Sequence, residues 1–272
     1  MDLRSWYRWE ADGLTFYKSW SLEQTGLVTH GFSARAGGVS EPPFESLNLG
    51  LHVGDKPEAV IENRRRCLLA LSLEPEGLTT VEQVHGARVA VVGPSEVGAG
   101  AFDSGLALAG ADAMVTNLPG VPLGAFYADC VPVFILDPVN KAIGLAHAGW
   151  KGTAAGVVAS TLKAMTETYG SSPKDCFAAI GPAIGRCCYD VGRDTADAVW
   201  KACSDLRPLV RWSDDRWKVD LQLANWLILI GSGVPESSIG LCLRCASCHQ
   251  EEFFSYRRDG PTGRMAAILA LR

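Results

Sequence analysis

Between Ala113 and Ala146 the chain passes through four short apolar runs, Ala113 to Thr116, Leu123 to Tyr127, Val133 to Leu136 and Ala142 to Ala146, bounded by Asn, Gly, Pro and Asp. Runs of this length with such punctuation are strands rather than helices. The fourth leads into His147, and after Gly149, Gly152 and Thr153 a helix follows with Val158, Leu162, Met165 and Tyr169 on one face. A strand is expected at Phe177 to Ile180, helices around Thr195 to Ser204 and Leu221 to Ile230, the latter capped by Asp220, and closing strands at Phe253 to Tyr256 and Met265 to Leu271. Upstream, Asp55 and Pro57 open a helical period through Val60, Ile61, Cys67, Leu68 and Leu71, with Arg64 to Arg66 as its solvated face. Leu78 to Val84 and Ala87 to Val92 are extended, with His85-Gly86 at the bend between them, and Gly93 to Gly110 is a Gly-rich loop. Neighbouring groups of strands with irregularly placed helices indicate an α+β fold, with mixed β-sheets flanked by helices, rather than a βαβ repeat.

No repeat, low-complexity tract or linker divides the 272 residues, so a single domain over 1–272 is expected. The net charge of -5 gives no basic footprint for nucleic acid. Met1 to Glu10 carries charges with no apolar run behind them, and the longest uncharged stretches fall short of the roughly 20 residues that a membrane helix needs. A cytoplasmic protein with a small-molecule or protein partner is expected. Thiols stay reduced there, so the nine cysteines are core residues, metal ligands or nucleophiles.

Cys130 follows a strand in Tyr127-Ala-Asp-Cys130, with Val131-Pro132 expected to bend the chain, while His147 ends another strand and His85 lies in a bend. Two imidazoles and a thiolate would make a three-ligand zinc site with one position open. The same residues also allow Cys130 as nucleophile with His147 as base. A buried free cysteine with two backbone-satisfied histidines is the plain alternative, and the spacing matches no local metal motif. Amides of Gly152, Thr153 and Ala154 beside Lys151 would suit an anion, or simply form a helix start.

Cys242, Cys245 and Cys248, with His249 adjacent, show Cys-x-x-Cys spacing twice without a second cluster to complete a site, and are read as structural or incidental. Cys187 and Cys188 would point oppositely if extended. Cys67, Cys176 and Cys203 are read as core. Arg35, Asn48, Arg257 and Arg258 are polar groups in Gly-flanked or aromatic segments, and guanidinium forks suit phosphate.

Taken together, Gly31-Phe-Ser to Ser40, Ser46-Leu-Asn-Leu-Gly50, Asn63-Arg64, Gln83-Val-His85-Gly86, Ala111-Asp-Ala to Thr116, Ala128-Asp-Cys130-Val-Pro132, His147-Ala-Gly-Trp-Lys-Gly152, Gly181-Pro182 to Gly192 and Phe253-Phe-Ser-Tyr-Arg-Arg-Asp-Gly to Arg264 closely resemble the bacterial YfiH family, also called the laccase-domain or multicopper polyphenol oxidase family. The resemblance spans nearly the whole chain. Ala34 stands where the family usually has threonine, and Cys245 matches a family cysteine, leaving Cys248 as an addition.

The resemblance implies a single-domain α+β fold and a zinc site of His85, Cys130 and His147. It also implies phosphorolysis of adenosine, guanosine, inosine and methylthioadenosine, and deamination of adenosine to inosine. Asp129 is then the candidate acid for the leaving group, with Cys130 and His147 at the catalytic centre, and Arg35, Asn48, Arg257 and Arg258 are candidate phosphate or substrate ligands. Copper-dependent oxidation of phenols is the competing reading, but five histidines are too few for a mononuclear and a trinuclear copper centre. A metal-free cysteine hydrolase, editing of cell-wall precursors and a zinc-stabilised binding protein are the others.

Overall fold

The structure is a computed structural model that describes residues 5–203, 210–213 and 216–272. Its strands are Trp6–Ala11 (β1), Leu14–Ser19 (β2), Val28–Ser33 (β3), Thr79–Thr80 (β4), Val89–Val91 (β5), Ala113–Thr116 (β6), Leu123–Tyr127 (β7), Val131–Asp137 (β8), Ala142–Ala148 (β9), Phe177–Ile180 (β10), Asp190–Val191 (β11), Val210–Ser213 (β12), Arg216–Val219 (β13), Ile239–Leu241 (β14) and Met265–Leu271 (β15). Helices span Trp20–Glu23 (α1), Pro57–Ala70 (α2), Trp150–Ala154 (α3), Val157–Tyr169 (α4), Arg193–Ala202 (α5), Leu221–Gly231 (α6) and Tyr256–Asp259 (α7). No helix among the described residues is long and apolar enough to cross a membrane.

Two six-stranded sheets carry the architecture, in the orders β1-β2-β3-β15-β7-β4 and β14-β10-β8-β9-β6-β5. Both are mixed: β4 pairs parallel with β7, β14 with β10 and β5 with β6, while the inner pairs are antiparallel. The fold is therefore α+β with mixed sheets, as the sequence indicates. A three-stranded sheet β11-β13-β12 lies apart from these.

Period-two alternation explains the layering. In β15, Met265, Ala267, Leu269 and Leu271 face the core between the sheets, whereas Ala266, Ile268 and Ala270 face the side covered by Cys67, Leu68 and Leu71 around α2. In β8, Phe134 and Leu136 point between the sheets, while Val131, Val133 and Ile135 meet Val158, Leu162 and Met165 of α4. Both faces of these strands are covered, which is why the sequence shows them as unbroken apolar runs.

Several expectations are corrected. Phe253 and Phe254 are buried coil, and α7 follows because Ser255 Oγ accepts the Arg258 amide hydrogen and caps a helix. Pro132 sits inside β8 opposite His147 and does not bend it. Arg64 is buried, its guanidinium donating to Leu49 O, Gly100 O and Ala101 O, so it is no part of a solvated face. Lys56 rather than Asp55 occupies the N-cap of α2. Helix α5 runs to Ala202, and Ser204 lies outside the described residues.

Candidate metal centre and substrate cavity

The connection Ala128-Asp129-Cys130 carries the chain from β7 of the first sheet to β8 of the second, so Cys130 stands at the seam where the sheets meet. His147 is the penultimate residue of β9 and shares the parity of Ile143 and Leu145, which turns its ring toward the core between the sheets, 5.4 Å from that of Tyr127. His85 arrives from the bend between β4 and β5. The three ligand atoms lie within 4.8 Å of one another, with Cys130 Sγ 3.9 Å from His85 Nε2.

Asp112 organises this arrangement. Its carboxylate accepts from His147 Nδ1 at 2.9 Å and from the backbone N–H groups of His85 (2.8 Å) and Gly86 (2.6 Å), and its carbonyl accepts from the His147 amide. With Nδ1 taken, His147 Nε2 is left for the site, the arrangement in which a carboxylate orients a metal-binding imidazole. Burial opposes the charge on Asp112, but the hydrogen bond from His147 and the two amides hold its carboxyl below the ordinary range.

Electrostatics within the triad are strongly coupled. Burial alone would raise the Cys130 thiol, yet His147 and His85 bring it down to about 6. Burial would lower His147, but the Cys130 thiolate and Asp112 raise it to about 9. Both shifts favour a thiolate beside an imidazolium, whose proton a cation of charge two can replace. A thiolate and two imidazoles match the donor set zinc takes in catalytic sites. Gly149 leaves room beside them: an added Cβ would lie 3.0 Å from both Cys130 Sγ and His85 Cδ2.

Backbone strain gathers here. Gln83, His85 and Asp129 all have positive φ, at 60°, 62° and 93°, a conformation costly for residues other than glycine. Local bonds hold it in place. The Gln83 side chain pairs with the backbone of Phe126 in both directions, and the Asp129 carboxylate accepts from Ser255 Oγ and the Arg257 amide, both at 2.7 Å.

The triad forms part of the wall of a 460 Å³ cavity that Asp129, Arg257 and Arg264 also line, together with Phe126 and Tyr189. Arg257 donates to Asp190 O and lies over the Tyr189 ring at 4.9 Å. The other sequence candidates fall outside this wall. Asn48 is fully buried, accepting from Gly50 N and Arg264 N and donating to Asp55, which fixes the loop that carries Arg264. Arg35 donates to the carbonyls of Glu45 and Gln250, while Arg258 is spread over Asp259 and the carbonyls of Ala246, Ser247 and Phe253. At the α3 start, Thr153 N–H is taken by Gly149 O in an ordinary helix bond, so that amide belongs to the helix start rather than to an anion.

Sequence reasoning missed Asp112, Gln83, His52 and Arg264 as site residues. Asp112, Gln83 and Arg264 lie in the quoted motifs, but a lone carboxylate between alanines carries no local sign that a histidine 35 positions on will meet it.

A family model described as multi-copper polyphenol oxidoreductase laccase matches residues 29–272. Among curated proteins, the chain is 42% identical over 246 residues to a protein of Geobacillus stearothermophilus named purine nucleoside phosphorylase YlmD, covering 89% of each. It is 36% identical to Escherichia coli purine nucleoside phosphorylase YfiH, over 88% of this chain and 92% of that one. Among solved structures, YlmD from Geobacillus stearothermophilus superposes with a TM-score of 0.93 at 38% identity, with all of both chains covered.

Proposed function

The chain belongs to this laccase-domain family of YfiH and YlmD proteins, and on that premise we propose that it is a zinc-dependent purine nucleoside enzyme. It would convert adenosine, guanosine, inosine and methylthioadenosine with phosphate to the free base and ribose or methylthioribose 1-phosphate, and deaminate adenosine to inosine. One observation carries the reading: the His85, Cys130 and His147 donors stand in the wall of the cavity that Arg257 and Arg264 line.

Zinc held by His85, Cys130 and His147 would supply Lewis acidity at that wall. The remaining work falls to the chain. Arg257 and Arg264 offer guanidinium donors to phosphate, which must approach C1′ as the bond from C1′ to the base breaks and its electron pair leaves with the purine. Phe126 and Tyr189 offer flat apolar faces for the base. Asp129, whose pKa burial raises, would exchange a proton with the departing base, or with ammonia in deamination. Arg35, Asn48 and Arg258, engaged in the loop contacts described, hold the walls rather than the phosphate.

The lowered Cys130 thiol also favours a second reading, a metal-free hydrolase with Cys130 as nucleophile. Copper oxidase chemistry is disfavoured by the dispersal of the remaining histidines. His30 is fully buried with Nε2 accepting from Ser19 N, and His249 Nδ1 lies 2.9 Å from Cys245 O. Only His52 is left in the cavity wall beside the triad.

The deciding experiment incubates metal-analysed protein with adenosine, with and without phosphate, and separates the products. Inosine without phosphate indicates deamination; adenine with ribose 1-phosphate, only when phosphate is present, indicates phosphorolysis. If neither forms and Cys130→Ala behaves as wild type, the reading fails. Activity that survives chelation but not alkylation of Cys130 would favour the hydrolase.

A further inference from the structure

Away from the cavity's metal-ligand triad, the structure brings together two cysteine pairs that the sequence keeps far apart. Cys187 and Cys188 sit in the turn after Gly185, and Cys245 and Cys248 in the loop after β14. All four sulfurs lie within 4.8 Å of one another. We propose that Cys187, Cys188, Cys245 and Cys248 form a second metal site, a structural tetrathiolate zinc site that ties the 185–189 turn to the 245–255 loop.

The geometry supports the assignment at several points. Zinc–sulfur bonds of about 2.3 Å place tetrahedral sulfurs about 3.8 Å apart. Cys248 Sγ lies 3.5 Å from Cys187 Sγ and 3.4 Å from Cys188 Sγ, so a small relaxation admits an ion. Adjacent cysteines can both point to one centre here because residues 186–188 form a turn, with the amides of Cys188 and Tyr189 both donating to Gly185 O, rather than the extended chain that would send them to opposite sides. One sulfur nearly equidistant from two others suits a shared ion better than a disulfide, which joins two sulfurs at about 2.05 Å and leaves the other two unused.

The frame around the sulfurs is built independently of them. Ala183 bridges to Cys245, and Ala246 N donates to Ala183 O at 2.8 Å, so the two segments are already zipped together beside the cluster. Gly185 N donates to Cys245 Sγ at 3.2 Å, the kind of backbone bond that supports a thiolate ligand. A Cβ on Gly185 would fall 3.0 Å from Cys245 Cβ and 3.2 Å from Cys187 Sγ, so the glycine lets the turn sit tightly against the cluster. Lys218 Nζ donates to Cys187 O at 3.1 Å and pairs with Asp190 Oδ1 at 3.1 Å, which ties β13 to the turn that carries the first pair. Cys187 and Cys248 are exposed, so zinc can enter the folded protein.

Binding is balanced by proton release: one Zn²⁺ replaces the protons of four thiols, with no oxidant or reductant required. Beyond stabilising the fold, the site would brace one wall of the cavity. Tyr189 directly follows the first pair, and Arg257, in the helix α7 that follows the second pair's loop, packs on the Tyr189 ring. None of this depends on the nucleoside reading.

The test uses intact protein purified with zinc and compares metal content across wild type, Cys130→Ala and Cys248→Ser. Cys130→Ala is expected to keep one tightly held zinc, and Cys248→Ser to carry one equivalent less than wild type. Cobalt loaded into Cys130→Ala should give thiolate charge-transfer and strong visible bands of a tetrahedral tetrathiolate ion. That spectrum keeps all four cluster cysteines, so it reads the site even if Cys248→Ser folds poorly. Cys130→Ala protein without such bands, four freely titratable thiols with no zinc released, or a mass two hydrogens short from a disulfide within the cluster would each overturn the proposal.

Discussion

Asp112 lies behind the cavity wall, yet it holds His147 Nδ1 and the amides of His85 and Gly86 together. Its loss would free the His147 ring and relax the strained bend at His85. Asp112→Asn is expected to weaken zinc about 10- to 100-fold, measured by competition with a chelating dye, while thermal unfolding shows the fold retained. The proposed function divides the arginines in the same way between chemistry and support. Arg257→Ala should raise the KM for phosphate about tenfold or more, as expected for loss of a charge-assisted bond of about 1.5–3 kcal/mol, whereas Arg35→Ala should leave it unchanged. An Arg35→Ala effect on phosphate KM equal to that of Arg257→Ala would return Arg35 to the phosphate site. Cys130, His85 and His147 were legible as strand-end and bend residues. The meeting of Cys187 and Cys188 with Cys245 and Cys248 was not, because it depends on two distant loops packing side by side.

Strands β6 to β9 were readable because helices or a second sheet cover both their faces, leaving uninterrupted apolar runs between turn residues. The β1–β2 hairpin went unread although its signal is present. Asp12-Gly13 connects Trp6–Ala11 to Leu14–Ser19, and both turn residues have positive φ, at 50° and 75°, as a two-residue hairpin turn requires. The aromatic run Phe253 to Tyr256 misled for the opposite reason: its composition suits a strand, but Ser255 starts a helix. Helix α6 behaves as its sequence suggests, with the Asp220 carboxylate accepting from Leu223 N at 2.9 Å. Asp220→Ala is expected to cost about 1 kcal/mol of stability, read as a lower urea midpoint with unchanged slope.

The stability of the whole molecule should carry an acid limb from His30. Burial, with Lys18 and Arg272 nearby, lowers its pKa from 6.5 to about 3, although Glu23 Oε2 lies 3.8 Å from its Nδ1. Between those values the unfolded chain takes up a proton that the folded protein refuses, so acid favours unfolding. Stability contributed by neutral His30 is complete above pH 6.5 and falls by up to about 1.4 kcal/mol per pH unit as pH drops toward 3. His30→Gln, which can still accept from Ser19 N, should flatten that limb relative to wild type in urea titrations at stepped pH. Equal slopes would mean that His30 is already protonated in the fold.

The position of β15 in the first sheet sets a schedule for the chain's synthesis. It is the last strand in sequence order, yet it lies between β3 and β7 in the middle of that sheet. While the ribosome is still making residues before Met265, the early hairpin and β7 can collapse but cannot join into one sheet. Arg257 and Arg264 likewise emerge only just ahead of that strand. The cavity arginines and the central strand thus join the sheet only once residues up to Leu271 have been made. Until then the nascent chain carries two unsatisfied strand edges, which chaperones would have to shield.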